Sequence, residues 1–274
     1  MYALEKEDNF RWIYKLLASR FPHPLTSSAL SHPDILYQLA SIGQFAELAH
    51  GSLSPSFIWE NLDALMQPSY PLEEYTDLSG SVLLETFLGD VAKLQGYIAY
   101  KPSQRQLILA FSGTSSLAQT LRELDARLVP HPYFQRTAQG VSTSTTKSNP
   151  SVHAGFWRLY SGLGSKAMDA LRKALISPNR IVDEVVITGH SLGGVISSFF
   201  LLDLLTLDQS SSTSQWWKPQ QLTIKLATFG APRMGDSSFA QAFSVIVEKF
   251  KSAYGRDRLT EYAVRGFNDG TTSH

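Results

Sequence analysis

Along most of the chain, apolar residues occur either in short unbroken runs or at helical spacing, and the two patterns alternate. GYIAYK at 96–101 and RQLILAF at 105–111 predict two strands joined by the short turn Pro102 to Gln104. EVVIT at 184–188, TIKLATF at 223–229 and EYAVRGF at 261–267 predict three more. Between them lie helical patterns. SSLAQTLRELDARLVP places Leu117, Leu121, Leu124 and Leu128 on one face. HAGFWRLYSGLGSKAMDALRKALI reads as one helix ended by Ser177-Pro178, and GVISSFFLLDLL and SSFAQAFSVIVEKF read as two more. Strands alternating with helices of this length need crossover connections, which predicts an α/β fold with a mainly parallel central sheet and helices on both faces. Residues 1 to about 50 look helical, interrupted by FPHPLTSS and SHPD. Residues 1–70 are therefore expected to be a helical N-terminal extension of a single domain spanning 1–274, with Thr137 to Pro150 as a polar surface loop.

Composition adds exclusions. A chain of 274 residues that is 43% hydrophobic and 18% charged can bury a large core. Lysine plus arginine equal aspartate plus glutamate at 24 each, so no global field favours nucleic acid. The opening MYALEKEDNFRWIYKLLASR lacks the basic start and apolar run of a secretory leader, and the cysteine count is zero. The longest apolar stretch, VISSFFLLDLLTL, is shorter than the roughly 18 residues of a membrane span and contains Asp203. These features predict a cytoplasmic protein without a transmembrane segment. Seven histidines are scattered without a ligand-spaced pair, so no metal or other cofactor is expected.

The chemistry is concentrated in VVITGHSLGG at 185–194. A Gly-x-Ser-x-Gly turn between a strand and a helix is a nucleophile elbow: the backbone is strained, and side chains two residues either side of the serine would strike their neighbours. Gly189 and Gly193 meet that demand, and Ser191 is expected to stand exposed at the carboxyl edge of the sheet. The first N–H groups of the following helix, that of Leu192 nearest, would face the oxyanion of a tetrahedral intermediate.

GHSLGG, together with FSGTSS at 111–116, VHAGF at 152–156 and TFGAPRMGD at 228–236, resembles the class 3 (fungal-type) triacylglycerol lipase family of the α/β-hydrolase fold. The four motifs stand in the family's order, and the resemblance covers 111 to 269. It implies a serine carboxylic ester hydrolase acting on acylglycerols or related acyl esters, at a possible lipid interface. By the same resemblance Thr114 is the second oxyanion donor, for which a threonine hydroxyl beside Gly113 is chemically suited. The leucine-striped segment 116–128 holds the place of the family's lid, although such a stripe equally suits a core helix. Asp236 matches an aspartate that supports the site from behind, and His153 a structural histidine; His190 is expected to point away from the substrate side.

Asp269, in Asn268-Asp269-Gly270, matches the family's catalytic acid, in the chain order Ser, Asp, His of this fold. The family's histidine lies tens of residues further, whereas here only TTSH remains and His274 is the sole histidine after Asp269. Two readings follow. His274 is the base, or the C-terminal segment that carries the base is missing from this chain, which is the preferred reading. The second leaves an alternative function, a non-catalytic lipase-like protein that binds lipid or a protein partner. The pair Trp216-Trp217 is read as packing rather than as a membrane contact.

Overall fold

A computed structural model describes residues 32–51, 53–113, 125, 127–138, 149–207 and 215–265. Its centre is a six-stranded sheet of β1 (Val82–Leu88), β2 (Gln95–Lys101), β3 (Gln106–Phe111), β6 (Glu184–His190), β7 (Thr223–Phe229) and β8 (Leu259–Val264), in that spatial order. β1, β2 and β3 are antiparallel neighbours; β3, β6, β7 and β8 run parallel. A two-stranded sheet pairs β4 (Leu128–Pro130) with β5 (Ser151–His153).

Period-two alternation divides the sheet's side chains between two layers. Leu107, Leu109, Phe111, Val185 and Ile187 face one cluster, shared with α5 (Ala154–Ser161), α6 (Gly164–Ile176), α7 (Leu192–Leu205) and α8 (Ser237–Tyr254). Ile108, Ala110 and Val186 face the other, covered by α1 (Pro33–His50), α2 (Pro55–Glu60) and α3 (Leu62–Leu65). A short α4 (Pro132–Ala138) follows β4. The sheet is thus mainly parallel with helices on both faces, as the sequence pattern predicts.

Three local expectations need correction. Leu128 to Pro130, read as the end of an amphipathic helix, form β4, because their backbone pairs with β5 through Val129 and Val152; residues 116–124 of that helix lie outside the described residues. The helix read across 153–176 breaks at Gly162, whose carbonyl accepts the Asp90 N–H at 3.0 Å from the β1–β2 turn. The Ser/Thr-rich loop read from Thr137 begins inside α4, and residues 139–148 lie outside the described residues. Strand β1 has no counterpart in the expectation: it is an edge strand, mostly half-buried or exposed, with a bulge between Leu83 and Glu85 that spoils its alternation.

The helix α7 is apolar on nearly every side because it lies between the sheet and helices α5 and α8, and Phe199, Phe200, Leu201 and Leu202 are all fully buried. Its one acid, Asp203, accepts from the Tyr160 hydroxyl of α5. No helix among the described residues is long and apolar enough to cross a membrane.

On the other face, Tyr97 in β2 donates to the Phe45 carbonyl of α1 at 2.7 Å. Beside it Lys101, 4% exposed, pairs with Asp77 at 3.1 Å, with its ammonium 5.8 Å from the Phe45 ring. Removing one member of a buried ion pair strands the other, so Asp77→Ala is expected to cost about 3–5 kcal/mol. The double variant Asp77→Leu/Lys101→Met should return to within roughly 1–2 kcal/mol of the original in urea unfolding, since it removes both charges and keeps the volume.

Candidate active site

The run Glu184–His190 forms a strand because its alternate residues are buried on both faces, and the chain then turns within one residue into α7. Ser191, at that junction, has φ 55° and ψ −122°, a backbone conformation that L residues rarely adopt. Its N–H continues the pairing with β7, donating to the Phe229 carbonyl at 2.7 Å. The glycines make this possible. A Cβ on Gly189 would lie 2.4 Å from the Gly193 carbonyl carbon, and one on Gly193 would lie 2.2 Å from the Phe111 carbonyl oxygen. Gly194 is nearly as crowded, with Ala231 Cβ at 2.8 Å. All three obstacles are main chain or a first side-chain carbon, which cannot rotate away.

The parallel strands β3, β6, β7 and β8 end at one edge. Phe111 of β3 is level with Gly189 of β6, which brings Gly113 beside Ser191. β8, from which Asp269 follows in sequence, lies two strands from β6, roughly 10 Å away. Thr114, Asp269 and His274 themselves lie outside the described residues. Leu192 is the first residue of α7, so its N–H is one of those left without an intrahelical acceptor at a helix start. A cleft of about 710 Å³ opens beside the elbow, between Val195 and Thr228 on one side and Phe239, Phe243 and Arg265 on the other.

Ser191 departs from the expected exposure. It is 4% exposed, and its Oγ is fully buried with no hydrogen-bond partner among the described residues. A buried hydroxyl without a partner forgoes about 1–3 kcal/mol, a cost that a structural serine avoids by bonding to a nearby carbonyl, as Ser197 and Ser198 do to Gly193 and Gly194.

The remaining sequence candidates fall into place around this edge. Asp236 caps α8, accepting from Phe239 N–H at 2.7 Å and from Ser151 N–H at 3.3 Å, and so ties β5 to α8. His153 stacks on Phe156 with ring centroids 4.2 Å apart. His190 faces α1, its ring edge-on to that of His50 at 5.3 Å. Trp217 is 2% exposed and packs in the core against Trp216. Two residues that the sequence does not single out frame the turn after β3. Ser112 exchanges hydrogen bonds with the Gln95 backbone, and the His50 ring abuts Gly113. A histidine in the last turn of α1 reads in sequence only as a complement to the helix dipole.

The family model described as Lipase (class 3) matches residues 108–266, more than half of the chain. The chain belongs to the class 3 lipase family. Among curated relatives of this family member, phospholipase A1-II 3 of Oryza sativa subsp. japonica is 28% identical over 169 residues, covering 57% of this chain and 38% of the relative. A lipase of Rhizopus niveus is 25% identical over 158 residues, covering 58% and 34%. The chain therefore spans well under two thirds of the length of these relatives. A crystal structure of a lipase from Rhizopus microsporus var. chinensis superposes with a TM-score of 0.60 at 21% identity, covering 88% of this chain and 70% of that one, and this likeness shows the α/β-hydrolase fold.

Two outcomes are expected from this geometry. Gly193→Ala should cost on the order of 3 kcal/mol or more in chemical unfolding, because its Cβ meets a carbonyl oxygen. Gly43→Ala, in the interior of α1 with only ordinary contact to Phe229 at 3.6 Å, should instead stabilise by about 0.5–1 kcal/mol. The histidines set a pH dependence. Burial holds His153 below its ordinary value of 6.5, against the opposing pull of Asp125, and burial followed by the nearby His190 does the same to His50, against Glu47. A depressed histidine pKa means that the unfolded chain binds these protons first, so their contribution is complete above about 6.5 and is lost as the pH falls through the folded-state values. The Tm should fall between pH 7.5 and pH 5, and the fall should be smaller in His153→Phe.

Proposed function

We propose that the protein is a serine carboxylic ester hydrolase that cleaves acyl esters of glycerolipids. The observation that carries this reading is the backbone of Ser191, held with positive φ between β6 and α7 by glycines that no larger residue can replace. A strained serine at a helix start, its buried Oγ without a hydrogen-bond partner among the described residues, has the attributes of a nucleophile. In the proposed mechanism Oγ attacks the ester carbonyl as its proton passes to the histidine base, and the N–H of Leu192 and the N–H and hydroxyl of Thr114 take up the charge on the carbonyl oxygen. The alcohol leaves with a proton from the histidine base. Water then adds to the acyl-enzyme, giving up a proton to the same base, and releases the carboxylic acid and Oγ–H.

Asp269 orients that base, for which His274 is the candidate in this chain. The placement of β8 supports the assignment of Asp269, since a strand end two places from β6 leaves room for an imidazole between acid and serine. A single domain spanning 1–274 and the cytoplasmic location belong to the same proposal. Relatives named phospholipase A1 and lipase favour phospholipid and triacylglycerol esters as the substrates to try.

The test is hydrolysis of p-nitrophenyl butyrate, phosphatidylcholine vesicles and triolein emulsion by the 274-residue chain, beside Ser191→Ala and His274→Ala. Ser191→Ala is expected to lower kcat by at least 10³-fold without lowering Tm. Loss in both variants assigns His274 as the base. Activity that survives Ser191→Ala would end the serine-hydrolase reading.

A further inference from the structure

His50 Nδ1, like Ser191 Oγ, is a buried polar atom at the catalytic edge without a hydrogen-bond partner among the described residues. Nucleophilicity accounts for the serine. It does not account for the imidazole, which comes from the last residue of α1, outside every motif in the chain.

Its surroundings suggest a role. Nδ1 and Cε1 of His50 lie 2.8 and 3.2 Å from the point where a Cβ on Gly113 would stand, and the His190 carbonyl oxygen lies 2.8 Å from that same point. Gly113 is therefore wedged between the flat edge of the His50 ring and the main chain that leads into Ser191. One residue earlier the turn is fixed from β2: Ser112 N–H donates to the Gln95 carbonyl at 2.8 Å, and Ser112 Oγ accepts from Gln95 N–H at 2.9 Å. One residue later stands Thr114. The His50 ring also forms a wall of a cavity of about 500 Å³ with Gly43, Ala46, His190 and Phe229, so its removal would open the turn to that space.

We propose that His50 is a positioning residue for the oxyanion side of the site: its ring edge, pressed on Gly113, fixes where the chain leaves β3 beside Ser191. The inference rests on the serine-hydrolase reading. Its ring edge acts by shape, since Nδ1 has no hydrogen-bond partner among the described residues, and its orientation is kept by the edge-on contact with His190. Displacing an oxyanion donor by a fraction of an ångström weakens it in the transition state more than in the ground state, so the loss belongs in kcat.

The experiment measures the rate at which a fluorescent alkyl fluorophosphonate labels the full 274-residue chain, together with p-nitrophenyl butyrate kinetics and Tm. The variants are His50→Ala, His50→Leu, His50→Phe and Ser191→Ala. Labelling and kcat are expected to fall roughly ten- to a hundredfold in His50→Ala with KM little changed, and to recover in His50→Phe, which keeps a flat ring edge. His50→Leu fills the volume without that edge and is expected to be as slow as His50→Ala; it supplies the reading if the alanine variant does not fold. A His50→Ala or His50→Leu chain labelled at the original rate overturns the inference, whatever its Tm, as does a folded His50→Phe chain that stays slow. An unsubstituted chain that is not labelled, or is labelled equally after Ser191→Ala, removes the serine-hydrolase reading and this inference with it.

Discussion

The approach of α7 to the end of β3, so close that a Cβ on Gly193 would sit 2.2 Å from the Phe111 carbonyl oxygen, is the constraint on which the site depends. Because β3 and β6 are parallel and in register, the chain leaving β6 must climb over the end of β3 before it can start a helix. It does so within one residue. That residue takes the strain as a positive φ, and the helix start is thereby aimed at the same edge as the turn after β3. Any extra carbon at 189, 193 or 194 would push α7 off the sheet.

Both layers of the molecule work to hold this arrangement. α7 can sit so close because α5 and α8 enclose it from outside, and enclosure on all sides is why its sequence is almost continuously apolar. Its exceptions are satisfied locally: Asp203 by Tyr160, and Ser197 and Ser198 by carbonyls one turn back. α1 clamps the opposite face through Ile42, Phe45 and Ala49. The sheet between them has little freedom to shear, which lets a strained residue persist at its edge.

How much of this is legible in sequence depends on how local the determining physics is. The elbow can be read because its Gly-x-Ser-x-Gly signature is local in sequence, although the neighbours that Gly193 and Gly194 meet, Phe111 and Ala231, are distant; the central parallel strands β3 and β6 can be read because both of their faces are buried. β1 is hidden by a bulge and a solvent-facing side, and β4 is too short at three residues to show a period. The break at Gly162 is set by the N–H of Asp90, more than seventy residues earlier, so nothing in the helical pattern of 153–176 announces it. The burial of Ser191 belongs to the same class: the motif specifies the turn, but nothing within it specifies how little of the serine reaches solvent.

His50 lies at the far end of that scale. Sixty-three positions separate it from Gly113, and the contact arises because Tyr97 holds α1 at the Phe45 carbonyl and the helix then runs five more residues, roughly 7.5 Å, to the edge of the sheet. The Lys101–Asp77 pair beneath Phe45 fixes the same stretch from below. A helix that appears in sequence as an amphipathic cover is thus located by two polar contacts on β2, the strand that also holds Ser112. The turn after β3 is consequently framed from both sides by groups referenced to one strand, so a shift of α1 along the sheet would move one side of that frame and leave the other in place. The turn after β3 is in this sense built by β2 and α1, and the elbow alone would not define it.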